Sequence, residues 1–284
     1  MAGEREYPKA NGDVLYASEV NKLLGFGDGS DGAFNETAAS TTNLVQGTIY
    51  QYTSFTLGAD HTISAASTST EPIIILVQGD CTINGTINLS GKGATTSYGT
   101  YVGSVGGNAY YNGSQYVGGI AGLRLPPGSN FTLDQFGPIL NGTKGGSGIG
   151  AGSESAGGGG GASSQANGNA GGRREGVPSA SGGTSGGAGG CTILIIVGGN
   201  LTFGADSSID VSGADGAATS ANQSGGGGGG SGDILILYNG SKTDNGLATD
   251  VTGGSGAVGS GDGSSGADGA AGQSKIVAWN TILW

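Results

Sequence analysis

Charge is scarce in this 284-residue chain: only 11% of its residues are Asp, Glu, Lys or Arg. Lys and Arg total 10 against 21 acidic residues, a net charge of −11, and the only adjacent basic pair is Arg173-Arg174. That balance excludes a nucleic-acid partner held through its phosphates. The thin spread of charge acts mainly on solubility. A single histidine, His61, leaves no histidine-built zinc site within one chain and one possible base for a nucleophilic triad. Two cysteines, Cys81 and Cys191, stand beside apolar strand-like residues and read as buried thiols. A disulfide between them stays open, but two cysteines make no disulfide framework. With 6 prolines the chain is neither collagen nor a Pro-rich linker. The longest apolar runs, 73–77 and 193–197, are five residues each, where a membrane-spanning helix needs ~20. The charged N-terminus lacks the apolar stretch of a signal peptide, so export by that route is not expected.

Glycine fills the space those residues leave. It occupies 66 positions, and 45 of these lie between Gly137 and Gly272. Ordering so much glycine carries a high entropy cost, which dense backbone hydrogen bonding or assembly has to offset. At 35% hydrophobic the chain is nonetheless too apolar and too weakly charged for a typical disordered polypeptide.

Composition separates residues 1–35, an attachment or oligomerisation element, from a Gly-rich β-repeat body over 36–284. Within the first, Ser18 caps a short helix, Glu19 suits its positive end, Val20, Leu23 and Leu24 form a small apolar face and Gly25 ends it. Within the second, an internal repeat is legible. Residues 72–91, 192–213 and 233–253 each read as an apolar strand of about five residues, a Gly turn, an alternating strand and a short strand ending in Ser/Thr-Gly. A fourth copy begins at Lys275. The second and third start 41 residues apart and the first two 120 apart, so the first carries a long insertion, 92–190. Three short strands per unit predict an all-β stacked sheet or β-solenoid, since no unit can bury its apolar strand alone. A β-sandwich is the alternative. Ile74, Leu76, Ile193, Ile195, Ile234, Ile236 and Val277 are the expected core, and the continuous Ile/Leu/Val runs imply burial on both faces.

The glycine-rich connections suit a flexible linker by composition, but they carry a three-residue rhythm. Gly253, Gly256 and Gly259, then Gly263, Gly266, Gly269 and Gly272, recur at every third position. A left-handed extended helix has three residues per turn and no internal hydrogen bonds. Glycine at every third place bares one face, on which several such polyglycine-II-like helices can pack and bond backbone to backbone.

Motifs for chemistry are missing. Gly-Xaa-Gly-Xaa-Xaa-Gly at Gly254/Gly256/Gly259 and Gly261/Gly263/Gly266 precedes no helix and is expected by chance in a chain this rich in glycine. There is no P-loop and no nucleophile elbow. Gly213-Ala-Asp215-Gly and Gly266-Ala-Asp268-Gly fall short of a calcium-binding repeat. No catalytic residue, metal or cofactor is therefore assigned, and an enzyme is not expected. The distinctive cluster lies in the insertion, where Tyr98, Tyr101, Tyr110, Tyr111 and Tyr116 are interleaved with Gly, Ser and Asn. That composition suits adaptable recognition surfaces, and Tyr faces also stack on sugar rings. These five tyrosines are the candidate receptor-binding residues; the alternative is that they pack the insertion itself.

Residues 11–23, Asn-Gly-Asp-Val-Leu-Tyr-Ala-Ser-Glu-Val-Asn-Lys-Leu, resemble the Gly-Asp-Xaa-Leu/Ile-Xaa-Ala-Xaa-Xaa-Val-Asn element of many tailed-phage tail-fibre proteins. The glycine-rich body resembles the receptor-binding adhesins at the tips of T-even-like phage fibres, which bundle polyglycine-type helices, although regular Ile/Leu strand repeats set this chain apart. The resemblance implies a virion protein, a fibre or adhesin that contacts the host surface. It also implies a homotrimer, joined to other virion proteins through the N-terminal element and to a surface glycan or protein at its receptor. The Gly/Ser/Thr/Asn-rich, Lys-poor composition agrees with a virion or otherwise extracellular location. A capsid decoration protein or a self-assembling extracellular filament is the alternative.

Overall fold

The computed structural model describes residues 25–69, 71–93, 184–219, 225–260 and 265–279, together with five two-residue strands between 110 and 173. Among the described residues there is no α-helix. The expected helix over 18–24 lies outside them.

The chain winds as a three-faced β-solenoid of five coils, each laying one strand on each of three parallel sheets A, B and C. Coil 1 holds β1 (Ala33–Glu36), β2 (Thr41–Leu44) and β3 (Ile49–Tyr52). Coil 2 holds β4 (Ser54–Leu57), β5 (Thr62–Ala65) and β6 (Ile73–Val77). Coil 3 begins with β7 (Cys81–Ile83) and β8 (Thr86–Asn88). The insertion follows, with β9 (Tyr110–Tyr111), β10 (Tyr116–Val117), β11 (Gly150–Ala151), β12 (Ser155–Ala156) and β13 (Gly172–Arg173), and β14 (Ile193–Val197) then completes the coil. Coil 4 is β15 (Leu201–Phe203), β16 (Ser208–Asp210) and β17 (Ile234–Tyr238); coil 5 is β18 (Lys242–Asp244), β19 (Ala248–Asp250) and β20 (Ser274–Ala278). Sheet A runs β1-β4-β7-β15-β18, sheet B β2-β5-β8-β16-β19 and sheet C β3-β6-β14-β17-β20. Ile193 pairs with Ile73 and with Ile234, which are the 120- and 41-residue offsets of the repeat. The expected solenoid is the fold.

Inside the tube, identical register positions stack into apolar ladders. Phe55, Cys81 and Leu201 line sheet A, Ile63, Ile87 and Ile209 sheet B, and Ile75, Ile195 and Ile236 sheet C, all essentially inaccessible. Sheet C is also apolar outside. Ile74, Leu194, Ile196, Leu235 and Leu237 are buried there in a second cluster with Phe26. Two expected core residues, Leu76 and Val277, are only partly buried. Both stand on this outer face, toward its two ends.

A strap over 25–32 crosses the outer face along the solenoid axis. Gly25, Gly27, Gly29 and Gly32 all have φ between 70° and 83°. A Cβ at Gly27 would stand 3.0 Å from that of Leu76, and one at Gly29 2.7 Å from Gln78 Oε1. Gln51 N donates to Asp31 Oδ2 (2.6 Å), Gln78 Nε2 donates to the Gly27 carbonyl (3.2 Å), and the Phe26 ring lies 5.5 Å from that of Trp279. The strap thus touches coil 1, coil 2 and the residue that follows coil 5.

Turns between sheets C and A repeat too. Asn200 N donates to Asp80 Oδ1 at 2.7 Å, and Ser241 N to Asn200 Oδ1 at 3.0 Å, so each short polar side chain serves the next coil. The coil-5 pole is polar: Lys242 and Asp244 stand in register with the buried Leu201 and Phe203 and pair at 3.2 Å. The amides of Leu247 and Gly246, and then Lys242, hold the exposed Asp244 carboxyl below its usual range.

Candidate functional site

The corner between sheets B and C is where the molecule departs from a plain solenoid. Coils 1 and 2 turn it through 45–48 and 66–72, whereas coils 3, 4 and 5 each send out a long connection there. The exits are built alike. Asn88, Asp210 and Asp250 accept a hydrogen bond from the amide two residues on, at Ser90, Ser212 and Thr252, which turns the chain out of sheet B. The coil-3 connection leaves and returns side by side, with Gly93 N donating to the Gly189 carbonyl at 2.6 Å.

Five limbs of these connections, 184–192, 211–219, 225–233, 251–260 and 265–273, pack into a lattice. Its hydrogen bonds carry the expected period of three. Gly187 and Gly190 donate to Gly227 and Gly230, Gly229 and Gly232 to Ala214 and Val211, and Gly266, Gly269 and Gly272 to Ala257, Gly254 and Val251. The limb 225–233 is central and bonds to all four others, and its six consecutive glycines, 225–230, are all buried. Glycine count follows contact. A Cβ on Gly229 would run into the Ala188 carbonyl and one on Gly228 into that of Gly254, so the central limb admits no side chain at either of these positions, which face opposite neighbours. The peripheral limb 265–273 has glycine only at Gly266, Gly269 and Gly272, the positions that face 225–233, and exposes Asp268, Ala270 and Ala271. Short side chains close the lattice edge: Gly256 N donates to Asp268 Oδ1 (2.8 Å) and Gly259 N to Ser265 Oγ (3.2 Å).

Of the candidate tyrosines, Tyr110, Tyr111 and Tyr116 fall on one small antiparallel pair. Tyr111 is opposite Tyr116, and Tyr110 is opposite Val117. The strand β10 lies beside β11 and β12. Tyr98 and Tyr101 lie outside the described residues.

The lone histidine is used inside the fold. His61 is 1% exposed, and its Nδ1 donates to the Ala38 carbonyl at 2.9 Å, which requires the proton on that nitrogen. Nδ1 also lies 3.0 Å from Ser40 Oγ, and Nε2 lies 2.9 Å from Thr42 Oγ1. These contacts tie coil 2 to coil 1. Cys81 and Cys191 are free and buried. Burial pushes the Cys81 thiol far up, and pushes Cys191 to about 12 against the smaller opposing effect of hydrogen bonds at Ile73 and Gln46. Among the described residues, no three His, Cys, Asp or Glu side chains converge as a metal ion would need.

A feature the sequence did not announce is a groove of about 350 Å³ on the lattice surface, between limbs 211–219 and 251–260. Its walls include Asp215, Thr219, Ser255 and Val258. Only the register of the two limbs brings these together, so no local motif marks it. No known protein family, curated protein or solved structure matches this chain.

Proposed function

We propose that this chain is a structural protein of a virus particle, a tail fibre or receptor-binding adhesin that contacts the host cell surface. The observation that carries the reading is the corner where the connections of coils 3, 4 and 5 leave a rigid solenoid together and are locked into one glycine lattice. Such a frame holds loops in fixed relation without a large core beneath them, and loops on rigid scaffolds commonly carry binding. The Tyr-bearing strands β9 and β10 belong to the coil-3 connection. In this reading the element over 11–23 joins the chain to other virion proteins, and the assembled form is a homotrimer. The partner at the corner is a surface glycan or an exposed envelope protein. A filament grown by stacking coil on coil is less well supported, because the coil-5 pole carries Lys242, Asp244 and Thr249 where coil 4 has Leu201, Phe203 and Ile209.

Particle composition tests this. The chain should copurify with virions and be located on the tail or surface. Deleting residues 1–24, which leaves the strap from Gly25 onward in place, should abolish its incorporation without unfolding the body, and Tyr110→Ala with Tyr111→Ala should abolish adsorption without moving thermal unfolding. Absence of the chain from purified particles, or adsorption undiminished without it, would overturn the reading.

A further inference from the structure

The groove between limbs 211–219 and 251–260 is preformed. Gly216 N donates to the Ser255 carbonyl (2.9 Å), Ser255 N to Asp215 Oδ1 (2.7 Å) and Thr219 Oγ1 to the Val258 carbonyl (2.9 Å), so both walls are fixed to each other. Behind them, Ala257 N donates to the Gly226 carbonyl of the buried central limb. A ligand here meets a site that needs no ordering, which favours binding.

Its chemistry is narrow. The side chains are one carboxylate, Asp215, two hydroxyls, Thr219 and Ser255, and three small aliphatics, Ala218, Ala257 and Val258. Among the described residues no Lys or Arg lines it, and the chain carries a net charge of −11. An anionic ligand would meet an uncompensated carboxylate. An apolar ligand would cover the Asp215 carboxylate, whose Oδ1 alone takes a hydrogen bond from the groove, the Ser255 amide, and would strip water from the charge. A sugar ring satisfies both halves, since its hydroxyl edge can donate to Asp215 while its C–H face rests on Ala218 and Val258, the latter 75% exposed. The volume lies at the small end of ligand sites, roughly 300–1,000 Å³, room for one or two rings.

We infer that this groove is a binding subsite for an uncharged glycan of hexose or N-acetylhexosamine units, with Asp215 accepting hydrogen bonds from ring hydroxyls. The inference rests on the adhesin reading and names the ligand class that one face of its corner takes.

The test uses the purified full chain against two oligosaccharide panels, read by saturation-transfer NMR and titration. One panel is neutral (glucose, galactose, mannose and N-acetylglucosamine oligomers); the other is sialylated or sulfated. At least one neutral series should bind and the anionic panel should not. Asp215→Asn keeps the oxygen that takes the Ser255 amide and should weaken binding about tenfold or more. Ala218→Gln fills the groove from an exposed position and should abolish it. Neither variant should shift the thermal midpoint. Failure of every neutral series, preference for the anionic panel, or wild-type binding by both variants overturns the inference. A chain that binds no glycan but sits on the virion and is needed for adsorption removes the groove assignment and leaves the adhesin reading in place.

Discussion

Gly229 shows how a residue without a side chain can be as constrained as any core leucine. Its missing Cβ is the space into which the Ala188 carbonyl fits, and its amide donates to Ala214 at 2.8 Å. Gly229→Ala should separate two limbs and cost roughly 1–3 kcal/mol or more. Ala270→Ser, on the exposed side of a peripheral limb, should stay within about 0.5 kcal/mol. Urea denaturation of the two variants checks the contrast, and equal midpoints would mean the lattice adds nothing to stability. The thiols give a second residue-scale prediction. Cys81 and Cys191, both fully buried, should resist a thiol reagent at pH 8 until the chain unfolds. Their folded pKa values are raised, that of Cys191 from 9.0 to about 12. The unfolded chain therefore loses these protons first. The contribution of Cys191 is complete below about pH 9 and is lost progressively up to about pH 12; that of Cys81, raised further, falls in the same direction. A denaturation midpoint that stays flat across that window would contradict the burial.

At the scale of elements, sheet C is the one with two apolar faces. β14 is buried at all five positions, whereas β15 and β16 alternate. The inward ladder closes the tube and the outward ladder holds the strap. Ile236→Ala and Leu235→Ala, neighbours on opposite faces, should therefore each cost roughly 2–5 kcal/mol. In a one-sided sheet the outward change would be nearly neutral. Leu76→Ala should cost less, because that side chain is only partly buried. Phe26→Ala belongs with the large effects, about 3–5 kcal/mol, although Phe26 is in no strand. Chemical denaturation of the four variants ranks them, and a Phe26→Ala variant as stable as wild type would show that the strap is not part of the fold's stability.

Over the whole molecule, stability in a stacked repeat is a sum of coils and the contacts between them. The central limb and the inward strands of coils 3 and 4 have neighbours on both sides, while coil 5 pairs on one side only. Hydrogen exchange should follow that order. The amides of Gly228, Gly229, Ser231 and Gly232, each bonded to another limb, should exchange as slowly as those of Ile195 and Ile236. Lys242 to Asp250 should exchange faster. Fast exchange over 225–232 would show that the glycine limbs are not locked.

Much of this architecture was legible in the chain. The apolar five-residue runs, the Gly turns after them and the 41-residue offset specify stacked coils, because a unit of three short strands has no core of its own. The three-residue spacing of glycine specifies limbs with one bare face; that the six consecutive glycines 225–230 form the buried central limb came only from the packing. Register and packing decided the rest. Whether Leu76 and Val277 are core or rim depends on where their face ends. That Phe26 belongs to the outer face of sheet C depends on a strap conformation, set by four glycines with positive φ, that no periodicity displays. Asp215 and Ser255, 40 positions apart, meet because the connections of coils 4 and 5 leave the same corner and align in the lattice. Local pattern determines which segments extend and which faces must be covered. Only the closed stack determines which residues then stand side by side, because that proximity comes from coils placed one above another and not from neighbours along the chain.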